Sequence, residues 1–177
     1  MIKEVSKESK YLGPRFNVIR KNYVRSIDNL EYVRDIVETK DAVVVLAINE
    51  DNEVYLVKQM REVIGEETLE LPAGLIEENE DIEKAGIREL EEETAMLASN
   101  MEHLITVYSS CGFTTEKIHI YLATGLTKTK QNLDEDENIT EVVKMNIDEC
   151  LKLINTNYFK QANMNLAFLM YKNKYNK

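Results

Sequence analysis

Residues 42–48 read AVVVLAI, an unbroken apolar run rich in β-branched side chains. Such side chains lose rotamer freedom in a helix and pack well on a pleated sheet, so the run is a strand. A strand with one wet face alternates apolar and polar residues. This one does not alternate, so it is a central strand covered on both faces. Any fold for the chain must therefore place packed layers on both sides of one sheet.

The rest of the chain supplies those layers. The run continues as NEDNEVYLVKQMR, a turn followed by a second β-rich segment, and the two arms together predict a β-hairpin. Residues 15–38 alternate loosely in strand fashion. A short segment, TLELPAG, leads through a polar loop to a helix over about residues 80–97. Strand-like ITVYSS, KIHIYLATGL and TEVVKM follow, the last two separated by the acidic run LDEDEN, and then two helical segments, IDECLKLI and FKQANMNLAFLMYKN. Strands outnumber helices, which predicts an α/β (α+β) fold, a mixed sheet with helices on its faces. At 177 residues the chain has room for one compact domain with a sizeable core.

Charge narrows the function. A formal net charge of -10 argues against a nucleic-acid surface, which needs clustered Lys and Arg. An anionic substrate would then need a metal cation between it and the protein. The two cysteines, Cys111 and Cys150, are too few and too far apart for a disulfide framework or a zinc site. The first residues lack the apolar core of a signal peptide, and no run approaches the ~20 apolar residues of a membrane span. These features predict a reduced, cytoplasmic protein without membrane or nucleic-acid partners.

Residues 88–96 read RELEEETAM. On a helical wheel Ile82, Ala85, Gly86, Leu90, Met96 and Leu97 fall on one broad side. Glu89, Glu92 and Glu93 fall in the same sector, whereas Glu91 points away toward solvent. Carboxylates at the margin of a buried face repel one another and lose hydration. Arg88 can pair with Glu92 one turn on, but one arginine cannot neutralise three carboxylates. Magnesium suits the remainder, being a hard cation that binds through a few carboxylates together with substrate phosphate.

The spacing around this helix is Gly74, five residues, Glu80, seven residues, Arg88-Glu89-Leu90, one residue, Glu92-Glu93, one residue, Ala95-Met96. It resembles the Nudix box, Gly-x5-Glu-x7-Arg-Glu-U-x-Glu-Glu-x-Gly-U, with alanine in place of the last glycine. Gly74 would let the chain bend where the loop leaves its strand, and Ala95 would serve if its φ is negative. Around the box, the segments LVKQMR and LELPAG resemble the ADP-ribose pyrophosphatase group. YSSCGFTTE resembles that group's Tyr-x-Ser-Pro-Gly-x-Ser/Thr-x-Glu, with Cys111 in the place of proline and Gly112, Thr114 and Glu116 matching. Cys111 itself is expected to be a small buried loop residue.

The resemblance implies a Nudix-type mixed sheet sandwich between helices (α/β/α), with residues 1–40 as N-terminal strands for dimerisation and substrate contact and residues 41–177 as the hydrolase domain. It implies Mg²⁺, or Mn²⁺ in its place, held by the Ala73 carbonyl and by Glu89, Glu92 and Glu93, with Arg88 orienting a carboxylate. A loop carboxylate would activate water; Glu137 is the candidate and Glu135 the alternative. Arg61 would meet the pyrophosphate or distal ribose, unless it pairs with Glu62, Glu66 or Glu67. Arg34, Glu116 and Gly112 are further substrate-binding candidates, and Tyr23 or Tyr32 could stack on adenine. His103 and His119 are read as structural. The implied reaction is hydrolysis of ADP-ribose to AMP and ribose 5-phosphate by a homodimer. Two alternatives stand beside it: another nucleoside diphosphate derivative as substrate, or a domain that senses the nucleotide without cutting it.

Overall fold

The computed structural model describes residues 1–132 and 138–175. In chain order these form β1 (Ile2–Leu12), β2 (Phe16–Arg25), β3 (Leu30–Thr39), β4 (Ala42–Ala47), β5 (Glu53–Arg61), β6 (Glu66–Glu70), β7 (Ala73–Leu75), α1 (Ile82–Thr94), β8 (Met96–Tyr108), β9 (Lys117–Lys128), β10 (Ile139–Asn146), α2 (Ile147–Leu153) and α3 (Ala162–Tyr175). The fold class is the mixed α and β arrangement that the strand and helix pattern predicts. Among the described residues, no helix is long and apolar enough to cross a membrane.

The chain divides into two compact units. The first, Met1–Asp41 with Val107–Ile118, is an antiparallel meander in the order β1-β2-β3. Val37 joins the later segment to it, donating its N–H to the Phe113 carbonyl at 2.8 Å and accepting from the Thr115 N–H at 3.0 Å. Every residue of β1 is exposed. Tyr23 and Tyr32 face each other across β2 and β3 as a half-buried stacked pair.

The second unit, Ala42–Thr106 with His119–Lys177, holds the core and two sheets, ordered β10-β5-β6 and β7-β4-β9-β8. The expected hairpin over residues 42–61 is therefore corrected. Its arms belong to different sheets, linked at the turn by the bridge of Ile48 to Val54 and by hydrogen bonds between Asn49 and Glu53. The turn chemistry is local and correctly placed, but a strand's partners are chosen over long range, and β4 pairs with β7 and β9 instead. Within that sheet β4 is central and buried, as its apolar run requires. Val43, Val45 and Ala47 pack with Ala85 and Leu90 of α1 and with Met96, Ala98, Tyr121 and Ala123. Val44 and Leu46 lie on the opposite face by the pleat and are equally buried, and β4 also packs against α3. Each such side chain contributes about 1.5–3 kcal/mol through burial.

Helix α1 lies very close to β4. A Cβ on Gly86 would come within 2.9 Å of Met101 Cε and 3.2 Å of Val43 Cγ2, so a larger residue here would make the Met101 side chain move aside. Asp81 caps the helix, accepting from the N–H groups of Glu83 and Lys84. The helix ends at Thr94 and not near residue 97, and Met96 and Leu97 open β8. Ala95 takes the left-handed conformation at φ 59°. The condition set for alanine there, a negative φ, is not met: this residue does what a glycine would do more cheaply.

Candidate functional site

Three turns of α1 and the short strand β7 build the site. Glu89 and Glu93 are 5% and 3% exposed, on the face that also buries Ala85 and Leu90. Glu92 stands at the margin, half-buried. The wheel thus places Glu89, Glu92 and Glu93 correctly. Glu91 is corrected: it is half-buried and accepts from the Thr129 hydroxyl at 2.9 Å.

Arg88 ties the cluster together. Its Nη1 donates to Glu89 Oε1 at 2.7 Å and to Glu92 Oε2 at 2.9 Å. Its Nε and Nη2 donate to the two oxygens of Glu80 at 2.9 and 3.0 Å, and Nη2 also reaches the Leu75 carbonyl at 3.2 Å. The Glu80 bonds, opposed by burial and reinforced by Glu89 and Glu92, push the guanidinium further up from its already high value. It is a fixed positive charge at every accessible pH. One side chain thereby anchors the loop before α1, the first of the site carboxylates and the end of β7.

Strand β7 meets the carboxylates from the other side. The Ala73 N–H donates to Glu93 Oε2 at 3.1 Å. Gly74 is not a bend residue but lies in β7, opposite Val43 of β4. Its missing side chain is what matters: a Cβ there would sit 2.1 Å from the Glu89 carboxyl. The backbone has been left bare to admit that carboxylate, and hard oxygen donors packed against a bare backbone fit a hard divalent cation. Among the described residues no group of three or more acidic, imidazole or thiol side chains is arranged to hold a metal ion. Arg88 draws Glu89 and Glu92 toward itself, and each carboxylate has lone pairs beyond those the arginine engages. A metal held here would take its oxygen donors from Glu89, Glu92, Glu93 and the Ala73 carbonyl.

A cleft of about 420 Å³ opens along the outer side of α1, between Lys84, Arg88, Glu91 and Glu92 and the chain at Lys130 and Asn132. Neither lysine was singled out from the sequence, because their approach depends on the path of the chain after β9.

For Arg61 the ion-pair alternative is corrected. The arginine pairs with none of Glu62, Glu66 and Glu67. Its Nε and Nη2 clasp the two oxygens of Glu70 at 2.8 and 2.5 Å. Residues 57, 59 and 61 of β5 and 66, 68 and 70 of β6 alternate onto one face of their hairpin, and Arg61 reaches back along it.

Arg34, Gly112 and Glu116 belong to the first unit. Arg34 covers the Tyr32 ring at 4.9 Å, Gly112 is exposed, and Glu116 accepts the Ser109 N–H through its carbonyl at 3.1 Å. Cys111 is exposed, contrary to expectation, whereas Cys150 is buried and its thiol is pushed up to about 12 by that burial. His103 and His119 bond to opposite sides of the Thr106 hydroxyl, at 2.8 and 3.0 Å, as framework residues do. Glu135 and Glu137 lie outside the described residues.

Comparison with known proteins converges on the same helix. A methanol dehydrogenase activator from Bacillus methanolicus is 42% identical over 124 residues, covering 68% of this chain and 66% of the relative. An ADP-ribose pyrophosphatase from Bacillus subtilis (strain 168) is 38% identical over 123 residues, again 68% of this chain and 66% of the relative. The matched region thus spans just under two thirds of these curated relatives. A crystal structure of an ADP compounds hydrolase superposes with a TM-score of 0.87 at 21% identity, covering 97% of this chain and 92% of the other, a likeness of fold. The sequence model for the NUDIX domain matches residues 38–164, which contain β4, the bare glycine and the whole of α1. That is well over half of the chain, and the chain belongs to the NUDIX family.

Proposed function

We propose that the protein hydrolyses the pyrophosphate bond of ADP-ribose to AMP and ribose 5-phosphate in a divalent-metal-dependent reaction. The observation that carries this reading is the buried pair Glu89 and Glu93, packed on a backbone that a Cβ at Gly74 would block. Burying two carboxylates on an apolar helix face costs stability, and a cation-dependent site is the use that justifies it. The 38% identity to a pyrophosphatase of this name supports the choice of substrate.

Mg²⁺, or Mn²⁺ in its place, when held by Glu89, Glu92, Glu93 and the Ala73 carbonyl, supplies charge neutralisation for the pyrophosphate and acidifies a water. The chain's own residues do the rest. Arg88 keeps Glu89 and Glu92 in register through charge-assisted bonds. Arg61 presents cationic N–H groups to phosphate oxygens, and Lys84 and Lys130 line the cleft beside Glu92 with positive charge. Glu137, with Glu135 as the alternative, takes the proton of the attacking water. The water oxygen bonds to one phosphorus as the bridging P–O bond breaks, leaving two phosphate monoesters. Arg34, Gly112 and Glu116 are proposed to contact substrate. Residues 1–40 are proposed to join two copies into a cytoplasmic homodimer, with residues 41–177 as the hydrolase domain.

A second reading keeps the chemistry and changes the substrate to another nucleoside diphosphate derivative. Cys111, exposed in the segment that resembles the group's substrate loop, favours keeping it open. The test is incubation with ADP-ribose, NADH, ADP-glucose and 8-oxo-dGTP, with and without Mg²⁺, products being separated by chromatography beside a Glu93→Gln control. AMP formed fastest from ADP-ribose, only with metal and not by the variant, supports the leading reading. Faster cleavage of another substrate selects the second. Binding of ADP-ribose without cleavage of anything would replace both with a sensing domain.

A further inference from the structure

Glu70 is a carboxylate with 1% of its surface exposed, in a protein whose site carboxylates are already costly. Nothing in the reaction outlined above uses it. It is nevertheless firmly held: Arg61 clasps both its oxygens, the Thr68 hydroxyl donates to Oε1, and the Gln161 side chain bonds to it as well. A buried ion pair is seldom worth its desolvation as a stabilising device alone.

The other half of the pair shows what the burial achieves. A guanidinium is a rigid plane with five N–H donors. Glu70 takes the Nε and Nη2 edge of Arg61. The remaining donors make no hydrogen bond among the described residues, and the Arg61 side chain is 41% exposed. Glu93 acts on the same guanidinium electrostatically, and Ala73, whose N–H bonds to Glu93, follows Glu70 by three residues. A cation with one edge locked by a buried carboxylate and its other donors open is suited to receive a phosphate oxygen. Without the lock, an arginine at the end of β5 would spread over many rotamers.

We infer that Glu70 is a positioning residue, acting only through Arg61, which it clamps so that the free guanidinium edge meets a phosphate oxygen of the substrate. Thr68 and Gln161 hold Glu70 in turn. This rests on the reading of Arg61 as a phosphate contact, and deepens it by naming what aims the arginine.

The test is a binding cycle that does not depend on turnover. Inorganic pyrophosphate is titrated with Mg²⁺ present, by calorimetry, into wild type, Arg61→Ala, Glu70→Gln and the double variant, and the Tm of each is recorded. Arg61→Ala and Glu70→Gln should each weaken binding by about tenfold, the scale of one lost charge-assisted hydrogen bond. The double variant should bind no more weakly than Arg61→Ala alone, because Glu70 has no other route to the ligand. Wild-type affinity in Glu70→Gln with only a lowered Tm makes Glu70 structural and overturns the inference, as does a double variant in which the two losses multiply. Failure of the wild type to bind pyrophosphate overturns it too. Should Glu70→Gln not fold, Thr68→Val replaces it: a weakening of about threefold, consistent with loss of one neutral hydrogen bond, supports the clamp, and unchanged affinity refutes it. If ADP-ribose is not cleaved while the cycle behaves as expected, the activity reading falls and the clamp stands.

Discussion

Ala95 occupies a left-handed position at φ 59°, where its N–H closes the helix on the Glu91 carbonyl and its own carbonyl accepts the Thr129 N–H at 2.8 Å. The Cβ pays for that geometry with about 1–2 kcal/mol of strain. Ala95→Gly removes the strain but frees the unfolded chain, so we expect a net gain of about 1 kcal/mol. In a chain of this size that raises Tm by roughly 2–4 °C, measurable by calorimetry. Activity should not change, since no group of the carboxylate cluster moves. Here the motif reading was right about which residue departs from its family and wrong about how the departure is accommodated. A one-letter code carries no φ.

At the scale of elements, the site is the contact of β7 with α1. The two approach closely enough that the Glu89 carboxyl fills the space a Cβ on Gly74 would need, at 2.1 Å. Gly74→Ala should therefore displace Glu89 from its bond to Arg88 while leaving α1 itself in place. We expect a fall in kcat on the order of a hundredfold, the known effect of misplacing a reacting group by about 1 Å. The far-ultraviolet circular dichroism should stay unchanged; a variant that loses helix as well would show the glycine to be structural. Much of this contact was legible in advance, because helical periodicity alone puts Ala85, Glu89 and Glu93 on one face. The pairing of Arg61 with Glu70 was not, since it required the register of β5 on β6. Nor was the separation of β4 and β5 into two sheets, where an ordinary turn sequence hid a change of partner.

For the molecule as a whole, acid is the natural probe of its buried charge. Burial alone would raise the Glu70 pKa, but the bonds from Arg61, Thr68 and Gln161 together outweigh it and hold the group below its ordinary 4.5. A carboxylate with a depressed value stabilises the fold above 4.5 and loses that contribution as pH falls through its folded value. Urea unfolding of wild type and Glu70→Gln across pH should show the largest stability gap near neutrality. The gap should narrow as pH drops below 4.5, and a gap constant with pH would mean that the carboxylate's charge is not what the pair contributes. The exposed pairs, such as Arg20 with Asp35, should add little to this profile. Another whole-chain property follows from the order of strands in the second sheet. The meander β1-β2-β3 pairs neighbour with neighbour and can form as it leaves the ribosome, but β4 has only the three-residue β7 on one edge until its other partner, β9, begins at Lys117. During that interval of synthesis AVVVLAI is a β-prone segment without charge or proline, the kind that nascent chains bury in one another. The most hazardous moment for this protein comes before it has folded, and a chaperone that holds nascent β4 should raise its yield.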